Sequence, residues 1–244
     1  MTTAIILAGG MGTRLRSAVP DVPKPMAPIN GRPFIERQMD YWIDQGVSEF
    51  VLSVGYMKEV IMDHFGVSYR AVALKYVIED NPLGTGGGLL LAAQGLQEPF
   101  LVLNGDTFFE VDLAELLKFH TAHSADWTFS LFRTNEFERY MGMEVQSDGK
   151  IIKLKSDSLG KACLANGGVY MVNPSVIKNS FFAPGTKLSL EDELLPYLLR
   201  QNQQLFGIEF SASFIDIGVP QDYFRAQEFL TNQIKLHANT YRNS

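Results

Sequence analysis

The chain has 244 residues, 46% of them hydrophobic and 20% charged, with a formal net charge of −6 at pH 7. That length can bury one full core and fits a single α/β domain over residues 1–244. The acidic balance supplies no broad basic surface, which argues against nucleic acid or an anionic membrane as partner. The lone cysteine, Cys163, excludes an internal disulfide and fits a reducing cytoplasm. Gly, Pro or a charge breaks every apolar run before it reaches the roughly 20 residues of a membrane helix.

Residues 4–8 read as a strand, too short and too soon followed by glycines for a signal peptide. Ile35, Met39 and Trp42 then fall at helical spacing. Residues 50–54 predict a strand, 58–65 a helix, 74–78 a strand, 89–96 a helix and 100–103 a strand. This alternation predicts a mainly parallel, Rossmann-like sheet with helices on both faces, binding its ligand beyond the carboxyl ends of the strands. From Trp127 onward the pieces are β-rich, at 127–132, 142–146 and 168–172, so residues 1–125 are expected to form the nucleotide half and 126–236 the acceptor half. A closing helix is expected over 222–236, with 239–244 fraying.

The run Leu7-Ala8-Gly9-Gly10-Met11-Gly12-Thr13-Arg14 places glycines directly after the first strand. There a backbone without Cβ atoms can wrap phosphates and offer N–H groups, and Arg14 adds a guanidinium. Glycines alone could equally make a tight strand-to-helix turn. The dinucleotide fingerprint needs a small residue where Leu15 stands, and the P-loop's Gly-Lys-Ser/Thr is absent. Pro23-Lys24-Pro25-Met26 holds a lysine between two restricted residues near that loop, although a lysine so placed could simply be solvated. Asn104-Gly105-Asp106 sets a carboxylate at the end of the strand 100–103. Phe214-Ile215-Asp216-Ile217-Gly218 buries another acid among apolar residues, where an unpaired charge is costly.

In this order, these motifs resemble the signature of the sugar-1-phosphate nucleotidyltransferase family, with the likeness running from Ala4 through Pro220. The resemblance implies a Rossmann-like nucleotide domain with an inserted sugar-binding sheet, and Mg²⁺ held jointly by Asp106 and Asp216. It implies catalytic roles for Arg14, Lys24 and Asp106, and nucleotide contacts from Leu7, Ala8, Gly9, Gly10, Gly12, Thr13, Arg14, Glu79, Pro82, Gly84, Thr85, Asn104 and Gly105. Lys24, Asn166, Gly167 and Glu191 are the implied sugar-phosphate contacts. The substrates it implies are an NTP and a sugar 1-phosphate, and a homodimer is a further expectation.

Glu79 stands at the family's base-reading position. A carboxylate can accept from the adjacent N1–H and N2–H of guanine, whereas uracil and thymine offer one ring N–H, so GTP is favoured; Glu79 in solvent is the alternative. The family's Phe-x-Glu-Lys segment aligns with Leu154-Lys155-Ser156-Asp157, so the usual Glu-Lys sugar clamp is missing. Within the family the motifs most resemble guanylyltransferases acting on D-glycero-α-D-manno-heptose 1-phosphate. Mannose 1-phosphate guanylyltransferases, and uridylyltransferases for glucose or N-acetylmuramate 1-phosphate, share nearly all of them. A noncatalytic nucleotide-sugar sensor on this fold usually lacks a phosphate or metal residue, whereas Arg14, Lys24, Asp106 and Asp216 are all present. The histidines, His64, His120, His123 and His237, are expected to be structural.

Overall fold

The computed structural model describes residues 1–136, 139–140, 142–155 and 162–240, the side chains of 231–240 excepted. Ser156 and Asp157 of the aligned clamp segment, and the chain end from 241 onward, lie outside the described residues. The strands are β1 (Thr2–Leu7), β2 (Pro28–Ile29), β3 (Arg32–Pro33), β4 (Val47–Val54), β5 (Ser68–Tyr69), β6 (Val72–Ile78) and β7 (Phe100–Asn104). They continue with β8 (Thr107–Phe109), β9 (Trp127–Thr134), β10 (Gly142–Val145), β11 (Ile151–Lys153), β12 (Cys163–Val172), β13 (Leu205–Glu209) and β14 (Phe214–Asp216). The α-helices are α1 (Phe34–Asp44), α2 (Lys58–Phe65), α3 (Gly84–Ala92), α4 (Leu113–Ala122), α5 (Pro174–Lys178), α6 (Leu195–Arg200) and α7 (Pro220–Thr240).

β1 lies inside the main sheet, parallel to β4 on one side and to β7 on the other, and β6 continues the parallel run beyond β4. The alternation of side chains along a strand sends Ile6 to one face and Ile5 to the other, and both are fully buried. On the Ile6 face pack Ile35, Met39 and Trp42 of α1, Ile61 and Phe65 of α2, and Leu113 and Leu116 of α4. On the Ile5 face pack Leu89, Leu90 and Ala92 of α3, Val176 of α5, and Leu195 and Leu198 of α6. Helices therefore cover both faces, as the alternation predicted.

The β-rich half joins this sheet. β12 runs antiparallel to β7, pairing Val169 with Leu103, and carries β9 and β10 beyond it. A third apolar cluster seats α7 through Tyr223, Ala226 and Leu230 against Phe34, Phe108, Ile215 and Ile217. The Tyr223 hydroxyl donates to Pro28 O at 2.7 Å.

The expected helix over 89–96 is displaced: α3 starts at Gly84 and ends at Ala92. Glycine is a poor helix former, so the run Gly84 to Gly88 reads as a turn. Tertiary packing overrides that preference, because Cβ atoms on Gly86 and Gly87 would press on the backbone of 186–190. His120 is buried with Nδ1 2.8 Å from Thr128 Oγ1, and burial pushes its pKa down to about 4. His123 stacks on Phe119, and His64 pairs with Glu36. Among the described residues no helix is long and apolar enough to cross a membrane.

Candidate active site

A cavity of about 530 Å³ opens at the carboxyl ends of β1 and β7. β1 is where neighbouring connections turn to opposite sides of the sheet, the place where such sheets bind ligands. Ala8 N–H donates to Ser53 O at 2.8 Å and Gly105 N–H to Leu7 O at 3.1 Å, so the two loops leave the sheet side by side. Gly105 has no room for a side chain, since a Cβ there would stand 2.5 Å from Leu7 O.

Glu79 follows β6, tied by its N–H to Val54 O at 2.8 Å. Its carboxylate accepts from Ser53 Oγ at 2.9 Å and from Leu83 N–H at 3.1 Å. A carboxylate held by one bond on each oxygen keeps lone pairs free on both, so it remains an acceptor facing the cavity.

The start of α3 joins the nucleotide half to the acceptor half. Gly86 and Gly87 donate to Leu188 O at 2.9 and 3.0 Å, and Leu188 N–H donates back to Leu83 O at 2.8 Å. The Thr85 hydroxyl donates to Glu191 Oε2 at 3.0 Å and accepts from Leu190 N–H at 3.0 Å. Burial raises the Glu191 carboxyl above its ordinary range, and the Thr85 bond opposes the rise. Gly84 has φ +74°, and a Cβ on it would lie 2.7 Å from Leu188 O. Gly84→Ala is therefore expected to lower stability by about 1–3 kcal/mol and to weaken nucleotide binding. Thermal melting and an NTP titration check this; an unchanged Tm would show that the 188 segment can retreat.

The charged centre lies on the other wall. Pro23 is extended, and Lys24–Met26 forms a 3₁₀ turn that directs Lys24 into the cavity, where its ammonium donates to Asp106 Oδ2. β8 and β14 pair antiparallel with Thr107 opposite Asp216, and Ile217 N–H donates to Asp106 O at 2.9 Å. Asp216 thus comes up behind Asp106. Its carboxyl is raised by burial and then by the Asp106 charge, against which Lys24, the Gly218 N–H and Arg139 act. Arg139 stands 3.8 Å from Asp216 and pairs with the buried Asp222.

Two neighbouring carboxylates, Asp106 and the half-buried Asp216, suit a hard divalent cation. Mg²⁺ commonly takes only one or two protein carboxylates, completing its shell with water and substrate phosphate. The donor set of Asp106 and Asp216 fits that pattern. No larger group of potential metal ligands occurs among the described residues.

Of the residues singled out in the sequence, Leu7, Ala8, Gly9, Gly10, Gly12, Thr13, Arg14, Lys24, Glu79, Pro82, Gly84, Thr85, Asn104, Gly105, Asp106 and Glu191 all line the cavity. Asp216 stands behind the lining, which Gly218 completes. Asn166 and Gly167 do not line it. Asn166 instead braces an irregularity in β12, accepting from Gly168 N–H at 3.0 Å and donating to the Tyr170 hydroxyl at 2.7 Å. Gly167 is packed against the Phe109 ring. Sequence reasoning missed Lys187, an exposed cation on the rim near Glu191. Its neighbours, Thr186 and Leu188, give it no motif.

The nucleotidyl transferase family model matches residues 3–233. The chain belongs to the sugar-1-phosphate nucleotidyltransferase family. As a member it is an enzyme that transfers a nucleotidyl group from an NTP to a sugar 1-phosphate, in nucleotide-sugar biosynthesis. It is 39% identical over 232 residues to D-glycero-alpha-D-manno-heptose 1-phosphate guanylyltransferase of Aneurinibacillus thermoaerophilus, covering 95% of this chain and 99% of that protein. The Campylobacter jejuni protein of the same name is 38% identical, covering 94% and 99%. The crystal structure of HddC from Yersinia pseudotuberculosis complexed with GMP-PN superposes with a TM-score of 0.82 at 31% identity, covering 94% of this chain and 100% of that one.

Proposed function

We propose that this nucleotidyltransferase uses GTP and D-glycero-α-D-manno-heptose 1-phosphate, giving GDP-heptose and pyrophosphate. The observation that carries the catalytic reading is the convergence of the glycine loop, Lys24 and Asp106 on one cavity, with Asp216 directly behind Asp106. Guanine is supported by Glu79, an acceptor pinned by Ser53 and Leu83. The heptose is supported by the two relatives of that name, alike over nearly the whole chain. A GTP-using enzyme of this kind belongs in the cytoplasm.

The acceptor's phosphate has a second pKa near about 6, by analogy with phosphorylated side chains, so at neutral pH it is largely dianionic and needs no general base. Its oxygen attacks the α-phosphorus, and the bond to the pyrophosphate oxygen breaks in line. N–H groups of residues 8–13 and the Arg14 guanidinium hold the β- and γ-phosphates as they depart. Lys24 neutralises charge developing at the α-phosphate, and Lys187 steers the acceptor phosphate toward it. Glu191 accepts from sugar hydroxyls. Asp106 and Asp216 would hold Mg²⁺, which when bound would supply electrostatic stabilisation of the phosphates.

Pyrophosphate release is the test, with Mg²⁺, either the heptose 1-phosphate or mannose 1-phosphate, and each common NTP. Release with GTP and the heptose phosphate is expected. GTP with mannose phosphate alone would move the sugar, and release only with UTP, dTTP or CTP would overturn the role given to Glu79.

A further inference from the structure

Gln38 is a polar residue inside the core, 2% exposed on the α1 face it shares with Ile35 and Trp42. Its amide Nε2 donates to Asn104 O at 2.8 Å and to Thr107 O at 2.5 Å. These carbonyls bracket Gly105-Asp106, the loop by which β7 passes into β8. A primary amide carries two N–H donors, and here both serve one loop, while the buried Oε1 has no partner. The opposite amide orientation would set an oxygen against two carbonyl oxygens, so the side chain is there for its donors. The loop's backbone is otherwise held by main-chain bonds from Gly105 N–H to Leu7 O and from Ile217 N–H to Asp106 O, and its Asp106 side chain by Lys24. α1 also steadies the partner of Asp106: Phe34 N–H at its start donates to Ala27 O at 3.0 Å, beside the turn that carries Lys24.

We propose that Gln38 is a positioning residue for nucleotidyl transfer, clamping both ends of the Asp106 loop so that the carboxylate is held in register with Lys24 and Asp216. The inference rests on the placement of Asp106 in the catalytic centre. Positioning groups behind metal-binding side chains typically change metal affinity or activity by about 10–100-fold, the scale expected here.

The test compares Gln38→Met, which keeps the volume and removes both donors, with the gentler Gln38→Asn, whose amide is withdrawn by one methylene. Met39→Ala, a neighbouring core truncation, controls for lost stability. Both Gln38 variants are expected to lose about 10–100-fold in kcat well below their melting temperatures, with KM for the NTP within about twofold. Binding of Mn²⁺ in place of Mg²⁺, followed by electron paramagnetic resonance, should weaken in parallel, while Met39→Ala lowers Tm and leaves kcat and Mn²⁺ affinity alone. Wild-type kcat and Mn²⁺ affinity in folded Gln38→Asn overturn the clamp, as does an equal kcat loss in Met39→Ala. Asp106→Asn, assayed alongside, separates the two readings: if it also turns over normally, the placement of Asp106 has failed, whereas if it alone is inactive, only the clamp has.

Discussion

Asp106→Asn is expected to fold, to bind GTP within about threefold of the parent and to lose about 10³-fold in kcat, some 4 kcal/mol of transition-state stabilisation. The substitution is isosteric and keeps an oxygen to accept from Lys24, so the loop after β7 has no steric reason to move. What disappears is a formal negative charge, one of the two that recommend this corner for a divalent cation. The Asp106 charge is also a cause of the raised Asp216 carboxyl, second to burial, so in the variant Asp216 should return toward its ordinary range. Asp216 then ionises more readily, but it must hold the metal alone. Mn²⁺ affinity should fall together with turnover, while the glycine loop and Glu79 continue to hold the nucleotide. Turnover within about tenfold of wild type, on the same scale, would remove Asp106 from the reaction.

Much of this cavity's lining was legible in the chain because its residues lie in local motifs. Glycines after β1, a lysine between prolines and an acid after β7 are each fixed by backbone geometry within a few residues, and the parallel sheet then brings them together. Lys187 and Gln38 were not legible in that way. Lys187 reaches the rim because the segment at 188 is stitched by main-chain bonds to the start of α3, a partnership about a hundred residues apart that no local pattern announces. Gln38 did leave a trace, a polar residue on a helix face otherwise occupied by Ile35, Met39 and Trp42. What that trace lacks is a target, since the carbonyls it serves belong to β7 and β8, more than sixty residues away. The misplaced start of α3 has the same origin: intrinsic propensity reads the glycines as a turn, whereas backbone-to-backbone packing against residues 186–190 requires them to be small. Asn166, matched to a sugar contact by motif, lies outside the cavity lining and bonds Tyr170 and its own strand.

Lys24→Met should separate charge at the transition state from metal binding. The ammonium is largely buried, pairs with Asp106 and is a cause that lowers the Asp216 carboxyl. Removing it deletes the cation that the proposed mechanism sets at the α-phosphate, and kcat is expected to fall by about 10²–10³, the usual cost of one preorganised donor. The two carboxylates, however, lose the cation that competes for them. Mn²⁺ should bind at least as tightly as to wild type, opposite to Asp106→Asn. Without metal, Asp216 rises further above its unfolded value. A carboxyl raised in the folded state is ionised more readily by the unfolded chain, so the variant's stability deficit should grow as pH climbs from about 4 through the raised folded value. Mg²⁺ should restore Tm without restoring turnover. If Mn²⁺ affinity falls along with kcat, Lys24 instead organises the carboxylates, and the cation at the α-phosphate must be sought in Arg14 or Lys187.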